Sequence, residues 1–267
     1  MKPWEAQIDV DANLARRLIA EQFPQFADAP LRRIGAGWDN AAYLVEEHLV
    51  FRFPRRTISA PLIVKESTAL PLLAPQIPFP IPNPLFTGTP SDAYPWHFGA
   101  YEILLGAPAD TRELTDDDRK ALATDLARFL RALHDVDPQP LLARDLRSDE
   151  IGKLDPKRLG VDEAPLAGEP RIVHGDLYEK HLLLDQRNRL CGVIDWGDVH
   201  YGLPAVDLSA VHMVIPPEFH SDFIAAYGAV DERSWRFAGH RARYHTAMRQ
   251  EPLEKSMRRS FEEECDG

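Results

Sequence analysis

Cysteine is scarce in this chain, and the two residues present, Cys191 and Cys265, form no close-spaced metal-binding or redox pair. Both are read as free thiols in a reducing compartment, Cys191 within a buried strand and Cys265 in a polar tail. No apolar run approaches the roughly 20 residues that cross a bilayer, which excludes a helical membrane span from the expected fold. The first residues, Met1-Lys2-Pro3-Trp4, have no apolar core of a signal peptide, so the cytoplasm is the expected compartment. There is no internal repeat and no low-complexity tract. Positive charge is in deficit too: 31 Lys and Arg against 42 Asp and Glu give a net charge of −11. A nucleic-acid backbone is therefore not an expected partner, because such partners require a basic face. The same balance is compatible with a cationic substrate.

What is present is the composition of a globular protein, 44% hydrophobic and 27% charged over 267 residues. That length favours two packed units over one core, and the boundary is expected near Leu105 and Gly106, giving units 1–105 and 106–267. The first hundred residues read mainly as strand. Leu31–Ile34 leads through a Gly-bearing turn to Ala42–Val45, and a charged turn then leads to Leu49–Phe53, the pattern of antiparallel pairing. Ser59-Ala60-Pro61 opens a helix carrying Glu66, Leu70 and Leu73, and Pro71 weakens its last turn. Eight of the 23 prolines fall within 71–95, interleaved with Ile77, Phe79, Ile81 and Phe86. That spacing predicts a stiff, packed connection into an edge strand, followed by a strand at Ala100–Leu105.

The second unit opens on a helix with a capping box at Thr115 to Asp118 and apolar residues Leu122, Leu126, Phe129, Leu130 and Leu133 at helical spacing. Residues 138–170 are polar and the last sixty read as helical. Between them, 171–198 reads as strand, polar loop, strand, turn, strand, and leaves Asp176 and Asp195 where the chain exits strands. There a side chain can face a cleft while the strand fixes its backbone. Phosphoryl transfer needs such a pair: one carboxylate to accept the attacking hydroxyl's proton, another to hold a divalent ion against the phosphates.

The pattern His174-Gly175-Asp176 with His181, followed by Ile194-Asp195-Trp196-Gly197-Asp198, resembles the catalytic loop and metal motif of the aminoglycoside phosphotransferase family of protein-kinase-like enzymes. The resemblance covers roughly 30–210. Gly35, Gly37 and Asn40 look like its nucleotide loop, Arg52 like the strand residue that grips phosphates, and Glu66 like that residue's partner. Ile103 and Leu105 look like the backbone that meets the purine. An α+β, bilobal fold is implied, with an antiparallel N-lobe sheet plus one main helix and a mostly helical C-lobe. The implied activity is transfer of the γ-phosphate of ATP or GTP to a hydroxyl, with Asp176 as base and magnesium, or alternatively manganese, on Asp195 and His181. His174, Asp198 and Asp207 are the implied supports. Arg52 stands where lysine is usual and His181 where asparagine is usual; some relatives share each of these.

Plainer readings stay open for several residues. Asp176 can be a turn residue, Asp195 a strand-end cap, His181 a solvated loop histidine, Asp198 a surface acid, and Trp38 either a stacking or a packing residue. His240 and His245, without acidic or cysteine partners at ligand spacing, read as ordinary. Only twelve positions separate Asp195 from Asp207, with no Ala-Pro-Glu anchor, so a peptide substrate is disfavoured against a small molecule. A nucleotide-binding module without turnover is the other rival. The acceptor is left open among aminoglycosides, macrolides, choline-like alcohols and homoserine. Glu218, Asp222, Asp231 and Glu232 are candidates for an acidic pocket, and a monomer or weak homodimer is expected.

Overall fold

The computed structural model describes residues 6–36, 39–144, 146 and 168–250. Gly37, Trp38 and Cys265 fall outside them. The chain forms two units, Met1–Ala74 with Pro82–Leu104, and Pro75–Ile81 with Leu105–Gly267.

The first unit is built on a five-stranded antiparallel sheet. Its strands are β1 (Leu31–Ala36), β2 (Asn40–Val45), β3 (Leu49–Pro54), β4 (Pro84–Gly88) and β5 (Phe98–Glu102), in the order β1-β2-β3-β5-β4. All six residues of the central β3 are buried, because helices cover both faces of the sheet. The first helix, α1 (Ala12–Gln22), is absent from a strand-only reading of this region. Asp11 caps it, accepting a 2.8 Å hydrogen bond from the Leu14 amide. Ala15, Leu18 and Ile19 then enter one cluster with Phe51, Phe53 and Phe98. The alternation of a strand sends Arg52 to the other face, which carries α2 (Ala60–Leu73). That helix runs through Pro71 to Leu73, so the expected loosening of its last turn does not occur. The strand expected at Ala100–Leu105 starts two residues earlier and ends at Glu102. The Ile103 amide instead donates to the His48 carbonyl at 2.7 Å.

The proline-rich stretch splits. Pro84–Gly88 is the edge strand β4, whereas Pro75–Ile81 packs within the second unit. There the Pro80 carbonyl accepts from the Val193 amide at 3.0 Å and Phe79 meets the edge of Phe129. The rest of this unit runs β6 (Ala107–Pro108), α3 (Asp116–His134), α4 (Gln139–Leu142), β7 (Arg171–Val173), β8 (Leu182–Leu184), β9 (Leu190–Val193) and β10 (His200–Gly202). It ends with α5 (Ala205–Val214), α6 (His220–Tyr227) and α7 (Glu232–Gln250). Two small sheets, β6-β8-β9 and β7-β10, carry the polar loops. The capping box on α3 is complete, with Thr115 and Asp118 each holding the other's backbone amide. The α3 residues Leu122, Leu126, Phe129, Leu130 and Leu133 are fully buried beneath the loops, with Trp196 against Phe129. Helix α5 packs along α7, and α3 against α6.

Candidate active site

In the first unit, Arg52 and Glu66 form a buried ion pair. Arg52 Nη1 lies 3.0 and 2.9 Å from the two carboxylate oxygens, and both residues are buried. Neither charge could be left alone there, since a stranded buried ion is costly. Gly35 lies at the end of β1 beyond an irregularity in its pairing with β2, and a Cβ there would meet nothing within 4 Å. Asn40 opens β2, and its Oδ1 is buried without a hydrogen-bond partner. Ile103 has its amide engaged by His48, whereas Leu105 is the start of the second unit, 82% exposed with its carbonyl accepting from the Cys191 thiol of that unit.

The second unit gathers most of the remaining predicted residues around one loop, and Asp207 is its anchor. From the first turn of α5 its carboxylate accepts the amides of His174 at 2.7 Å and Gly175 at 2.9 Å, with His134 Nε2 at 3.3 Å. Burial pushes this carboxyl up, but the His134 and His174 rings and the Gly175 amide outweigh that and hold it below the usual carboxylate range. Gly175 must be glycine. Its φ is +89°, and a Cβ would sit 2.3 Å from the Asp198 carbonyl oxygen and 2.9 Å from the His200 ring. Asp198 thus touches the loop through its backbone, whose carbonyl also accepts from His200 Nδ1 at 2.6 Å.

His174 is fully buried, and its Nε2 is 3.0 Å from the Ile194 carbonyl. This ties the loop to the end of β9, one residue before Asp195, and burial holds the imidazole neutral by lowering its pKa. Asp195 takes the left-handed conformation at φ +66°, one that aspartate adopts more readily than most residues. His181 closes the arrangement. Its Nδ1 is 2.7 Å from the Asp176 carbonyl oxygen, which fixes the proton there, and its Nε2 faces Asp195 Oδ2 at 3.4 Å. Burial lowers the His181 pKa, but the Asp195 carboxylate more than compensates and raises it. Once Nε2 gives up its proton, its lone pair and the carboxylate oxygen beside it suit a shared cation, since neighbouring ligands of a small divalent ion lie roughly 3 Å apart. Among the described residues no three metal-ligating side chains cluster, so an ion here would need other oxygens, as phosphates and water supply.

Asp176 itself has a partner that the sequence did not disclose. His245 of α7 places Nε2 3.2 Å from Asp176 Oδ1, so the reading of His245 as an ordinary helix residue is corrected. A histidine 69 positions downstream carries no local signal of this contact; only its four-residue spacing from Arg241 and Arg249 hints at a shared face. Burial raises the Asp176 carboxyl, but the His245 hydrogen bond and the nearby His181, His245 and Arg241 hold it well below the usual range, so it is ionised at neutral pH. Arg249 pairs with Glu179 and stands 4.0 Å over the Tyr178 ring. Of the acids considered for a substrate pocket, Asp222 pairs with Lys120 at 3.5 Å and Asp231 caps α7 through the Ser234 amide.

No helix among the described residues is long and apolar enough to cross a membrane. A curated relative, the uncharacterized protein YcbJ of Bacillus subtilis strain 168, is 28% identical over 74 residues, which is 28% of this chain and about a quarter (24%) of that protein's length. Among solved structures, the GDP and kanamycin complex of APH(2")-IIia aligns with a TM-score of 0.75 at 23% identity, over 95% of this chain and 99% of that one. Macrolide 2'-phosphotransferase MphH from Brachybacterium faecium, an apoenzyme, aligns with a TM-score of 0.64 at 21% identity, over 86% and 90%. These likenesses establish the α+β fold of the kinase-like aminoglycoside phosphotransferases. The model of the phosphotransferase enzyme family matches residues 30–244, and the chain therefore belongs to that family of small-molecule phosphotransferases, enzymes that phosphorylate a hydroxyl group.

Proposed function

We propose that this enzyme transfers the γ-phosphate of ATP or GTP to a hydroxyl of a small molecule, with Asp176 as the general base. The observation that carries the reading is the environment of Asp176. It is an ionised carboxylate on a loop whose amides are clamped by the buried Asp207, beside a His181–Asp195 pair 3.4 Å apart. In the reaction the acceptor oxygen bonds to the γ-phosphorus while the bond from that phosphorus to the bridging oxygen breaks. The hydroxyl proton passes to Asp176, and the nucleoside diphosphate leaves with the bridging oxygen.

Asp195 Oδ2 and His181 Nε2 are the residues that would hold magnesium, or manganese, which when bound neutralises charge on the transferring phosphates. Arg52, kept in place by Glu66, supplies a fixed guanidinium for the nucleotide phosphates. Asn40, with an unpaired Oδ1, and Gly35, with open space above its Cα, are the further candidates on the first unit for contact with the nucleotide. Gly37, placed in the same loop by the sequence, lies outside the described residues. A GDP complex among the structural relatives supports a purine nucleotide as donor. The acceptor is read as a hydroxylated compound of the aminoglycoside or macrolide kind, because kanamycin and macrolides are named for the relatives. The enzyme is read as cytoplasmic, a monomer or weak homodimer, with no nucleic-acid or membrane partner.

The test is nucleotide consumption with magnesium against a library of hydroxylated compounds, repeated with Asp176→Asn. The variant is expected to lose about a hundredfold or more in kcat while still binding nucleotide. Near wild-type turnover would remove Asp176 from the role.

A further inference from the structure

Arg241, His245 and Arg249 stand four residues apart on α7, which places them on one stripe along the helix. Each turn of that stripe touches the loop that carries Asp176. Arg241 Nη2 reaches the Gly175 carbonyl at 3.3 Å, while its Nη1 is held by Ser209 Oγ at 2.7 Å. Four residues on, His245 Nε2 meets Asp176 Oδ1 at 3.2 Å. Arg249 then pairs with Glu179 and covers the Tyr178 ring. The helix therefore grips three stations of the loop in succession, and the middle one is the carboxylate itself.

Which nitrogen of His245 donates follows from what each one faces. Nδ1 is buried and has no hydrogen-bond partner. An ionised carboxylate can only accept, so the ring nitrogen that faces it must carry a proton. Nε2–H is thus the donor and Asp176 Oδ1 the acceptor. A carboxylate held through one oxygen has its rotation fixed, and its other oxygen is kept for the incoming hydroxyl. Without that bond the carboxylate turns about its own axis, and the base must find its orientation anew at each turnover.

We propose that His245 is a positioning residue for the base, holding Asp176 by Oδ1 so that Oδ2 faces the acceptor hydroxyl. The proposal rests on the reading of Asp176 as the base, and it adds a member to the site from a helix outside the catalytic motif. It also assigns α7 a part in turnover as well as in packing against α5.

The test compares His245→Gln with His245→Leu. Both fill the space of the ring, but only glutamine carries an N–H donor near the ε position. With GTP or ATP and magnesium, using water and then kanamycin as the acceptor, His245→Leu is expected to lower kcat roughly 10- to 100-fold. Its nucleotide KM should stay within about twofold, and His245→Gln should recover most of the loss, as a positioned hydrogen bond requires. In an Asp176→Asn background, His245→Leu should add less than about twofold, because a residue that acts through Asp176 has nothing left to position. Nitrogen-labelled histidine NMR supplies a readout independent of turnover: an Nε2–H tautomer at His245 whose resonance moves in Asp176→Asn. If Asp176→Asn is inactive while His245→Leu keeps wild-type kcat, the positioning role is overturned and the base reading stands. If Asp176→Asn is itself fully active, the base reading falls, and this role with it. An Nδ1–H tautomer, or a resonance indifferent to Asp176→Asn, overturns the role on structural grounds alone.

Discussion

Replacing Asp207 with asparagine changes one oxygen into an amide and leaves the shape almost untouched. The carboxylate is fully buried and receives two backbone amides, from His174 and Gly175, besides His134 Nε2. An asparagine carbonyl can keep only one of the two amides; the other then faces an NH2 group, donor against donor. The loss comprises one charge-assisted hydrogen bond, about 1.5–3 kcal/mol, and one buried N–H left without an acceptor, about 1–3 kcal/mol. The expected destabilisation is about 4 kcal/mol, a large share of the roughly 5–15 kcal/mol that holds a domain folded. In heat the unfolding midpoint should fall by roughly 8–16 °C. Because the two amides begin the turn that carries Asp176, kcat should drop by roughly 10- to 100-fold in the protein that stays folded. The pH dependence has a definite sign. The folded-state pKa of Asp207 is depressed, so its contribution is present above the unfolded value near 4 and is lost as pH falls through the folded value. The asparagine variant should lack that part of the acid sensitivity. Urea unfolding followed by circular dichroism at pH 7 and pH 3.5 provides the assay. A variant within about 1 kcal/mol of the wild type at pH 7 would refute the argument that this buried carboxylate anchors the loop.

Glu66→Ala strands the buried Arg52 guanidinium and should cost about 3–5 kcal/mol in urea unfolding, and an unchanged midpoint would mean that the pair is dispensable. Arg52→Ala should mainly raise the nucleotide KM and Arg52→Lys should restore much of it, since charge returns without the fork geometry; equal KM values in all three proteins would count against contact with the phosphates. His181→Asn exchanges a nitrogen ligand for a harder oxygen, so the manganese-to-magnesium rate ratio should fall in the variant, and an unchanged ratio would separate His181 from the metal. His212 is pushed down to about 4 by burial against His220, so as pH drops below about 6.5 protons go to the unfolded chain first and stability falls. Allowing for the partial exposure of the ring, the loss by pH 5 should be about 1 kcal/mol, and a His212→Phe variant with the same pH slope as wild type would exclude this residue as its source.

Features whose physics is local are legible in the chain. The capping box of α3, the alternating strands β2 and β3, and the turn at Gly175 each depend on residues a few positions apart. The spacing from His174 to His181, and on to Asp195, is equally short-range. The helix α1 also had its signals in sequence, an Asp11 cap and apolar residues at 14, 15, 18 and 19. A region read for strands hid it, and its burial is decided by a sheet face that appears only once Phe51, Phe53 and Phe98 are aligned across β3 and β5. Pro75–Ile81 likewise reads as a packed connection, but which core it packs into depends on Val193 and Phe129. The completion of the site depends on contacts between distant parts of the chain. The pairing of Arg52 with Glu66 spans 14 positions, the grip of Asp207 on the loop 33, and His245 reaches Asp176 from 69 residues downstream. Helical periodicity puts Arg241, His245 and Arg249 on one stripe, yet nothing in it says what the stripe faces. That is set by the packing of α7 on α5, where buried apolar surface, which has no directional code in the chain, brings an imidazole N–H against an ionised carboxylate.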